Sequence, residues 1–208
     1  MNISFIGMSG SGKTTWSKRL VNKGFSYFGC DDYIEQKLSH ELKTLGFQGI
    51  QDVARWLGQP YESQHKTSSE TYLRFEKEAM VYAMSSLSTN NLVIDTTGSS
   101  IYVGDEVMKQ LQIHTTIVYI KVPEKMKKNM FKVYMTDPKP VIWGNIFTMN
   151  ENESPKKALE RCYGQLLEYR AAKYQHYAHI TIDYEVLKNN MTVDQLITYI
   201  QNETLQSQ

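Results

Sequence analysis

Cysteine is scarce in this 208-residue chain, which has only Cys30 and Cys162. Two cysteines cannot make the disulfide framework of a small secreted protein, so a reducing cytoplasm is the expected location. The sequence also lacks the run of about 20 apolar residues that a membrane span requires. Residues 1–7 show no basic segment followed by a long apolar run, so we expect no secretory signal and no membrane partner.

An excess of charge of one sign is absent too. Lys and Arg total 23 and Asp and Glu total 22, which leaves a net charge of +1. Proteins that coat nucleic acid usually carry a strongly basic surface, so we expect no nucleic-acid partner. The five histidines have no third ligand nearby, which argues against a histidine-based metal site. We expect a monomer that acts on a small molecule.

What the sequence does contain is an alternation of short apolar strands and helices. The predicted strands are 2–6, 25–28, 91–95, 115–121 and 178–183, and the predicted helices are 13–23, 33–42, 70–87, 104–111, 124–132, 155–177 and 193–200. This alternation predicts one domain over residues 1–208, a three-layer α/β/α sandwich with a five-stranded parallel sheet. Residues 44–69, interrupted by three glycines and Pro60, follow no clear pattern and form an insert.

Directly after the first predicted strand lies GMSGSGKT, residues 7–14, which fits the phosphate-loop pattern G-x-x-x-x-G-K-[ST]. Glycines let successive backbone N–H groups turn inward onto phosphate oxygens, and the helix that follows attracts anions at its N-terminus. Lys13 is expected to reach the β- and γ-phosphates and the Thr14 hydroxyl to hold Mg²⁺. The predicted nucleotide-binding residues are Gly7, Ser9, Gly10, Ser11, Gly12, Lys13, Thr14 and Thr15.

Carboxylates follow two other predicted strands. Ligands of open α/β sheets bind beyond the carboxyl ends of the strands, where Asp31, Asp32 and Asp95 are expected. Asp95 suits a second magnesium-supporting position, with a turn cap as the alternative. Asp31 and Asp32 either accept a hydrogen bond from a substrate hydroxyl or cap the next helix, and each of them can take one of these roles.

Together these residues resemble the shikimate kinases, which are P-loop kinases related to the nucleoside monophosphate kinases. The resemblance covers residues 1–183 with gaps. It rests on the phosphate loop, on DDYIE at 31–35, on Gly98, on KPVI at 139–142 and on the R-x-x-x-Y-x-x-x-A pattern of Arg170, Tyr174 and Ala178. It implies a P-loop kinase fold with ATP and Mg²⁺ as cofactors and a mobile lid at about 124–153.

The resemblance also implies roles for single residues. Asp31 takes the place of the aspartate that contacts the substrate hydroxyl, and Gly98 takes the middle of a glycine triplet. Lys139 is expected to close over the phosphates from the lid as a catalytic residue. Arg170 and Arg74 are candidates for the acidic group of the acceptor. Alternatively, each arginine only pairs with a nearby carboxylate.

The chain departs from this family in its acceptor half. Gly29 stands where the family has an acidic residue, and the glycine triplet is Thr97-Gly98-Ser99. Lysines replace lid arginines, and Leu73-Arg74 is a loose match to a Phe-Arg pair.

The expected function is ATP-dependent phosphorylation of a hydroxyl group on a small acidic metabolite. Two alternatives remain open. One is a nucleotide, nucleoside or sugar kinase on the same scaffold, and the other is a non-catalytic nucleotide-binding regulator whose partner surface is the 44–69 insert.

Overall fold

Five strands of the chain lie side by side in one parallel sheet. A computed structural model describes residues 1–44, 46, 49–87, 91–137 and 139–206. Within this part the strand order is β2-β3-β1-β4-β5, and every neighbouring pair is parallel. The strands are β1 (Asn2–Ile6), β2 (Ser26–Gly29), β3 (Leu92–Asp95), β4 (Thr116–Lys121) and β5 (Ile180–Asp183).

Helices connect the strands and cover both faces of the sheet. They are α1 (Lys13–Val21), α2 (Cys30–Thr44), α3 (Ile50–Leu57), α4 (His65–Ser85), α5 (Asp105–His114), α6 (Glu124–Thr136), α7 (Pro155–Tyr177), α8 (Tyr184–Asn190) and α9 (Val193–Gln206). In addition, a short 3₁₀ turn occupies Ser100–Tyr102. The predicted parallel α/β sandwich is therefore confirmed.

The central strand shows why two helical layers are needed. Successive side chains of a strand point to opposite faces. Ile3 and Phe5 of β1 pack in a cluster with Trp16 of α1 and Leu196 of α9, whereas Ile6 belongs to the cluster on the other face. That second cluster includes buried residues of α4, α5 and α7. Because both faces of the strand are apolar, both must be covered to keep water away.

The 44–69 insert is more regular than its sequence suggested. It contains α3 and the first turn of α4, which begins at His65 rather than at the predicted residue 70. Val53 and Leu57 of α3 pack against Leu38 and Leu42 of α2 in a third buried cluster. This tertiary contact stabilises a helix too short to form alone. Residues 45, 47 and 48 of the insert and residue 138 of the expected lid lie outside the described part of the chain.

Helix α2 also differs from its prediction, because it begins directly at the end of β2. Its first turn holds Asp31 and Asp32, which lie inside the helix rather than before it. Carboxylates in a first turn interact favourably with the positive end of the helix dipole. The early start therefore brings both aspartates to the carboxyl edge of the sheet.

In the part of the chain that the structure describes, no helix is both long and apolar enough to cross a bilayer.

Candidate active site

The phosphate loop curls tightly between β1 and α1. A methyl group placed on Gly7 would lie 2.9 Å from the carbonyl oxygen of Ile120, so this position admits no side chain without movement of the backbone. Gly10 and Gly12 adopt φ angles of +76° and +92°, which glycine takes at little cost. These three glycines let the loop turn its backbone inward, as the sequence pattern predicts.

Lys13 lies at the base of this loop with only 7% of its surface exposed. Its ammonium group donates to the carbonyl oxygens of Gly7 at 3.0 Å and Met8 at 3.1 Å. Burial lowers the pKa of Lys13, while Asp95 and Asp31 act in the opposite direction. The hydroxyl of Ser11 is buried and has no hydrogen-bond partner among the described residues. A buried cation beside an unpartnered hydroxyl fits the phosphate oxygens of a nucleotide.

Asp95 ends β3 beside the loop, and it is 7% exposed. Burial raises the pKa of its carboxyl group, with the Lys13 ammonium and the hydroxyls of Thr14 and Tyr27 opposing the rise. Its Oδ1 atom has no hydrogen-bond partner within the described chain. Thr14, at the exposed start of α1, offers a second oxygen ligand. A carboxylate, a hydroxyl and solvent access fit Mg²⁺, which keeps several waters when it binds phosphate.

Asp31 faces the same space from α2. It keeps solvent-accessible surface, but the protein around it removes enough water to raise the pKa of its carboxyl group to about 6. Lys13 opposes this rise, while the Asp95 carboxylate adds to it. The Tyr72 hydroxyl of α4 donates to Oδ1 of Asp31 at 3.4 Å. A carboxylate with a pKa near 6 is ionised at neutral pH and is able to accept a proton.

Glu76, in the middle of α4, was not among the predicted site residues. It has no exposed surface, and its carboxylate accepts hydrogen bonds from Thr97 and, at 2.7 Å, from Ser99. Burial raises the pKa of this carboxyl group to about 7, against the effect of those two hydroxyls. Glu76 therefore holds the turn that follows β3.

The sequence did contain a signal for Glu76. Tyr72, Glu76, Ala79 and Ala83 repeat at helical spacing on the buried face of α4, and a charged residue within such an apolar stripe is unusual.

Arg170 of α7 is the buried cation on the acceptor side, with 5% of its surface exposed. Its Nη2 donates to the carbonyl oxygen of Ile142 at 2.6 Å, and its guanidinium lies over the ring of Tyr102. Its Nε has no hydrogen-bond partner among the described residues, and no carboxylate forms an ion pair with it there. The predicted alternative, a surface pair with a nearby carboxylate, is therefore not what the structure shows.

Gly98 lies between the phosphate loop and Arg170. A methyl group at this position would lie 3.3 Å from the backbone nitrogen of Ser9 and 3.5 Å from Nη1 of Arg170. The Tyr174 hydroxyl donates to the carbonyl oxygen of Gly98 and holds the turn against α7. The absence of a side chain at this glycine therefore permits close approach of the loop and the arginine.

A cavity of about 860 Å³ lies against several of these groups, although Lys13, Thr14 and Asp95 are not among its lining residues. Of the predicted site residues, Ser9, Gly10, Asp31, Gly98, Lys139 and Arg170 line it. Lys139 is half-buried, with its ammonium 3.7 Å from Asp137. A second cavity of about 750 Å³ lies at the amino ends of the strands and includes none of the predicted site residues.

The structure does not bring Arg74 to this cavity. Its guanidinium is exposed, pairs with Glu78 at 3.3 Å one helical turn away and stacks on Phe75. The helix direction explains the difference: Tyr72 and Glu76 occupy the face of α4 that points toward the site, so Arg74, two residues from each, points away. The position of Arg74 agrees with the alternative interpretation, in which it pairs with a nearby carboxylate on the surface of the helix.

Comparison with known proteins gives matches in structure only. No protein-family model matches the sequence, and no curated protein matches it. Shikimate kinase from Acinetobacter baumannii, in complex with shikimate, superposes with a TM-score of 0.60 at 20% identity over 99% of this chain and 93% of that one. Shikimate kinase from Bacteroides thetaiotaomicron gives a TM-score of 0.57 at 17% identity over 100% of this chain and 99% of that one.

Shikimate kinase from Aquifex aeolicus gives a TM-score of 0.55 at 17% identity and covers 98% of this chain and 96% of that one. The likeness thus spans nearly the entire chain, although few residues are identical. The chain has the fold of the shikimate kinases, a P-loop kinase fold with a five-stranded parallel sheet.

Proposed function

We propose that the chain is a kinase that transfers the γ-phosphoryl group of ATP, with Mg²⁺, to a hydroxyl of a small anionic acceptor. The observation that supports this most directly is the position of Gly98. It puts the phosphate loop and the buried Arg170 on either side of one glycine, and Asp31 lines the same cavity. A phosphate donor, a proton acceptor and an anion-binding cation are thereby gathered around a single space.

On the nucleotide side, the loop binds the phosphates through its backbone N–H groups. Lys13 would exchange its present contacts with Gly7 and Met8 for the β- and γ-phosphate oxygens and draw off their developing charge. Thr14 and Asp95 would hold the Mg²⁺ ion, which neutralises phosphate charge when it is bound.

On the acceptor side, Asp31 would accept a hydrogen bond from the attacking hydroxyl and take its proton as the new bond forms. Its pKa of about 6 leaves it largely ionised at neutral pH. Glu76 would act indirectly, since it holds the turn that positions Gly98.

Arg170 would bind the anionic group of the acceptor, because its Nε is buried without a hydrogen-bond partner in the described part of the chain. Lys139 would approach the phosphates when residues 124–153 close as a lid and exclude water. With Arg74 pointing outward, Arg170 is the arginine that lines the cavity. A hydroxylated carboxylic acid of the shikimate type, the ligand of the Acinetobacter structure, is the first acceptor to test.

The direct test is ADP release from ATP with a panel of acceptors: hydroxylated carboxylic acids, neutral sugars, nucleosides and nucleotides. We expect turnover with a hydroxylated acid. Turnover with nucleosides or neutral sugars alone would instead support the alternative kinase. Binding of ATP without turnover for any acceptor would support the regulatory alternative.

Two arginine variants test whether Arg170 binds the acceptor. Arg170→Ala should raise the KM for the acceptor at least tenfold, because a charge-assisted hydrogen bond contributes about 1.5–3 kcal/mol. Arg74→Ala, which removes the same side chain from the outer face of α4, should leave this KM unchanged. Equal effects of the two variants would contradict the assignment.

A further inference from the structure

Two carboxylates from different elements contact the same tyrosine hydroxyl at the edge of the sheet. The hydroxyl of Tyr27, on β2, lies 3.4 Å from Oδ2 of Asp32 and 3.4 Å from Oδ2 of Asp95. Asp32 comes from the first turn of α2, and Asp95 comes from the end of β3. One phenol thus joins an exposed carboxylate to a buried one.

The side chain of Asp32 lies directly against Gly29. Gly29 is paired with Asp95 in the parallel register of β2 and β3. A methyl group at Gly29 would collide with Oδ2 of Asp32 and would lie 2.6 Å from the Tyr27 hydroxyl. The carboxylate of Asp32 therefore occupies the space beside Asp95 that a side chain at position 29 would otherwise fill.

Asp95 has a carboxylate oxygen that is available for a ligand. Its Oδ1 is buried and receives no hydrogen bond from the described residues, although its Oδ2 contacts Tyr27. A buried carboxylate oxygen without a partner is costly unless a cation or a donor satisfies it. Thr14 lies next to Asp95 at the exposed start of α1. Oxygen ligands from one or two carboxylates, together with phosphate and water, are what Mg²⁺ prefers.

We propose that Asp32 supplies the second carboxylate of the magnesium site. Its side chain lies against Gly29, and it would bind the ion together with Asp95 and Thr14. This assignment rests on the proposed function, because the ion is the one that accompanies the nucleotide. It gives Asp31 and Asp32 separate tasks, although both line the cavity: Asp31 would contact the acceptor hydroxyl, and Asp32 would contact the metal. Contact with the ion is either direct or through one of its waters.

The test measures metal binding without catalysis. Mn²⁺, observed by electron paramagnetic resonance, is titrated into the protein saturated with a non-hydrolysable ATP analogue. We expect Asp32→Asn to weaken Mn²⁺ binding at least tenfold, the range measured for residues that support metal ligands. Affinity for the ATP analogue in EDTA, measured by calorimetry, should stay the same. Glu78→Gln, an equal loss of charge on the outer face of α4, should change neither quantity.

A relocated carboxylate tests the geometry. Asp32→Ala removes the carboxylate that blocks a side chain at Gly29, so that only the end of the Tyr27 side chain must move, and Gly29 has no positive φ angle that would oppose a side chain. The double variant Gly29→Asp/Asp32→Ala should recover most of the Mn²⁺ affinity that Asp32→Ala loses. Circular dichroism confirms that each variant is folded before it is titrated.

Two results would overturn the assignment. One is an unchanged Mn²⁺ affinity in a folded Asp32→Asn. The other is no recovery in a folded double variant. Failure of the proposed function looks different, because it shows in the unaltered protein. If that protein binds no ATP analogue in either EDTA or metal, the assignment of Asp32 falls as well. If it binds ATP without turnover for any acceptor, the kinase proposal fails while the Asp32 variants still decide the metal site.

Discussion

At the residue scale, the carboxyl groups around the cavity differ because their surroundings differ. Glu76 is fully buried and receives hydrogen bonds from two hydroxyls. Asp31 keeps contact with solvent and lies within the field of Lys13. Loss of water raises the pKa of both groups. A glutamate without exposed surface that accepts hydrogen bonds from two hydroxyls suits a structural role, and an aspartate that is largely ionised at neutral pH suits proton acceptance.

The activity is expected to depend on the ionisation of Asp31. Because the carboxylate must be ionised to accept a proton, kcat/KM should fall as the pH drops through about 6. Asp31→Asn should lower kcat at least 100-fold, the usual contribution of a general base. Steady-state rates between pH 5 and 8 measure the first effect. A profile that stays flat down to pH 5 would show that Asp31 is not the base.

The free energy of unfolding is expected to fall as the pH rises, because of Glu76. Its pKa is about 7 in the folded chain, above the ordinary value of 4.5, so the folded state holds a proton that the unfolded state releases. This contribution is complete below pH 4.5 and is lost as the pH rises through about 7.

Glu76→Gln should therefore flatten the decline in the free energy of unfolding between pH 5 and 8 by up to about 3 kcal/mol, at 1.36 kcal/mol for each pKa unit. Urea titrations at several pH values give both profiles. Parallel profiles for the two proteins would contradict the prediction.

At the scale of elements, the insert and the proposed lid support each other. The Tyr134 hydroxyl of α6 donates to Oε1 of Gln59, and Nε2 of Gln51 in α3 donates to Oδ1 of Asp137 at 2.8 Å. Ile142, beyond α6, packs in the same buried cluster as α3. The apolar face of α3 is therefore covered within the chain, and α6 is attached to the insert.

Removal of one hydroxyl should loosen α6. Tyr134→Phe keeps the ring stacked on Tyr163 but loses the hydrogen bond to Gln59, which is worth about 1 kcal/mol. Amide hydrogen exchange of α6 should become about fivefold faster, since that free energy corresponds to a factor near five. Tyr61→Phe, the same change on an exposed ring, should leave the exchange of α6 unaltered. Equal exchange in all three proteins would mean that this contact does not restrain the helix.

At the scale of the whole molecule, ligand binding and stability are linked. A nucleotide at 100 times its Kd stabilises the folded state by about 2.7 kcal/mol. For a domain of 150–250 residues this corresponds to a rise of about 5–10 °C in the melting temperature. Thermal unfolding with and without Mg-ATP measures the rise. Lys13→Ala should abolish it relative to its own ligand-free protein, and an undiminished rise in that variant would contradict the role of the loop.

Local sequence patterns were sufficient to predict the phosphate loop, the parallel sheet and several helix boundaries. The phosphate loop is readable from sequence because its glycines and lysine are neighbours in the chain, and strands with two apolar faces already require a sheet covered on both sides. Helix α7 begins at Pro155 as predicted, since Ser154 and Pro155 are a local start signal. The likeness to the shikimate kinases was also accessible from sequence, through short motifs that contribute few identical residues.

Tertiary structure alone decided which side chains share the cavity. Arg74 and Glu76 are two residues apart on α4, yet the rotation of the packed helix buries the glutamate and exposes the arginine. The space beside Gly29 is filled by Asp32 because α2 begins one residue after β2 ends. Such placements depend on how separate elements pack against one another. A sequence pattern shows the periodicity along one element, but it does not show how that element is oriented against its neighbours.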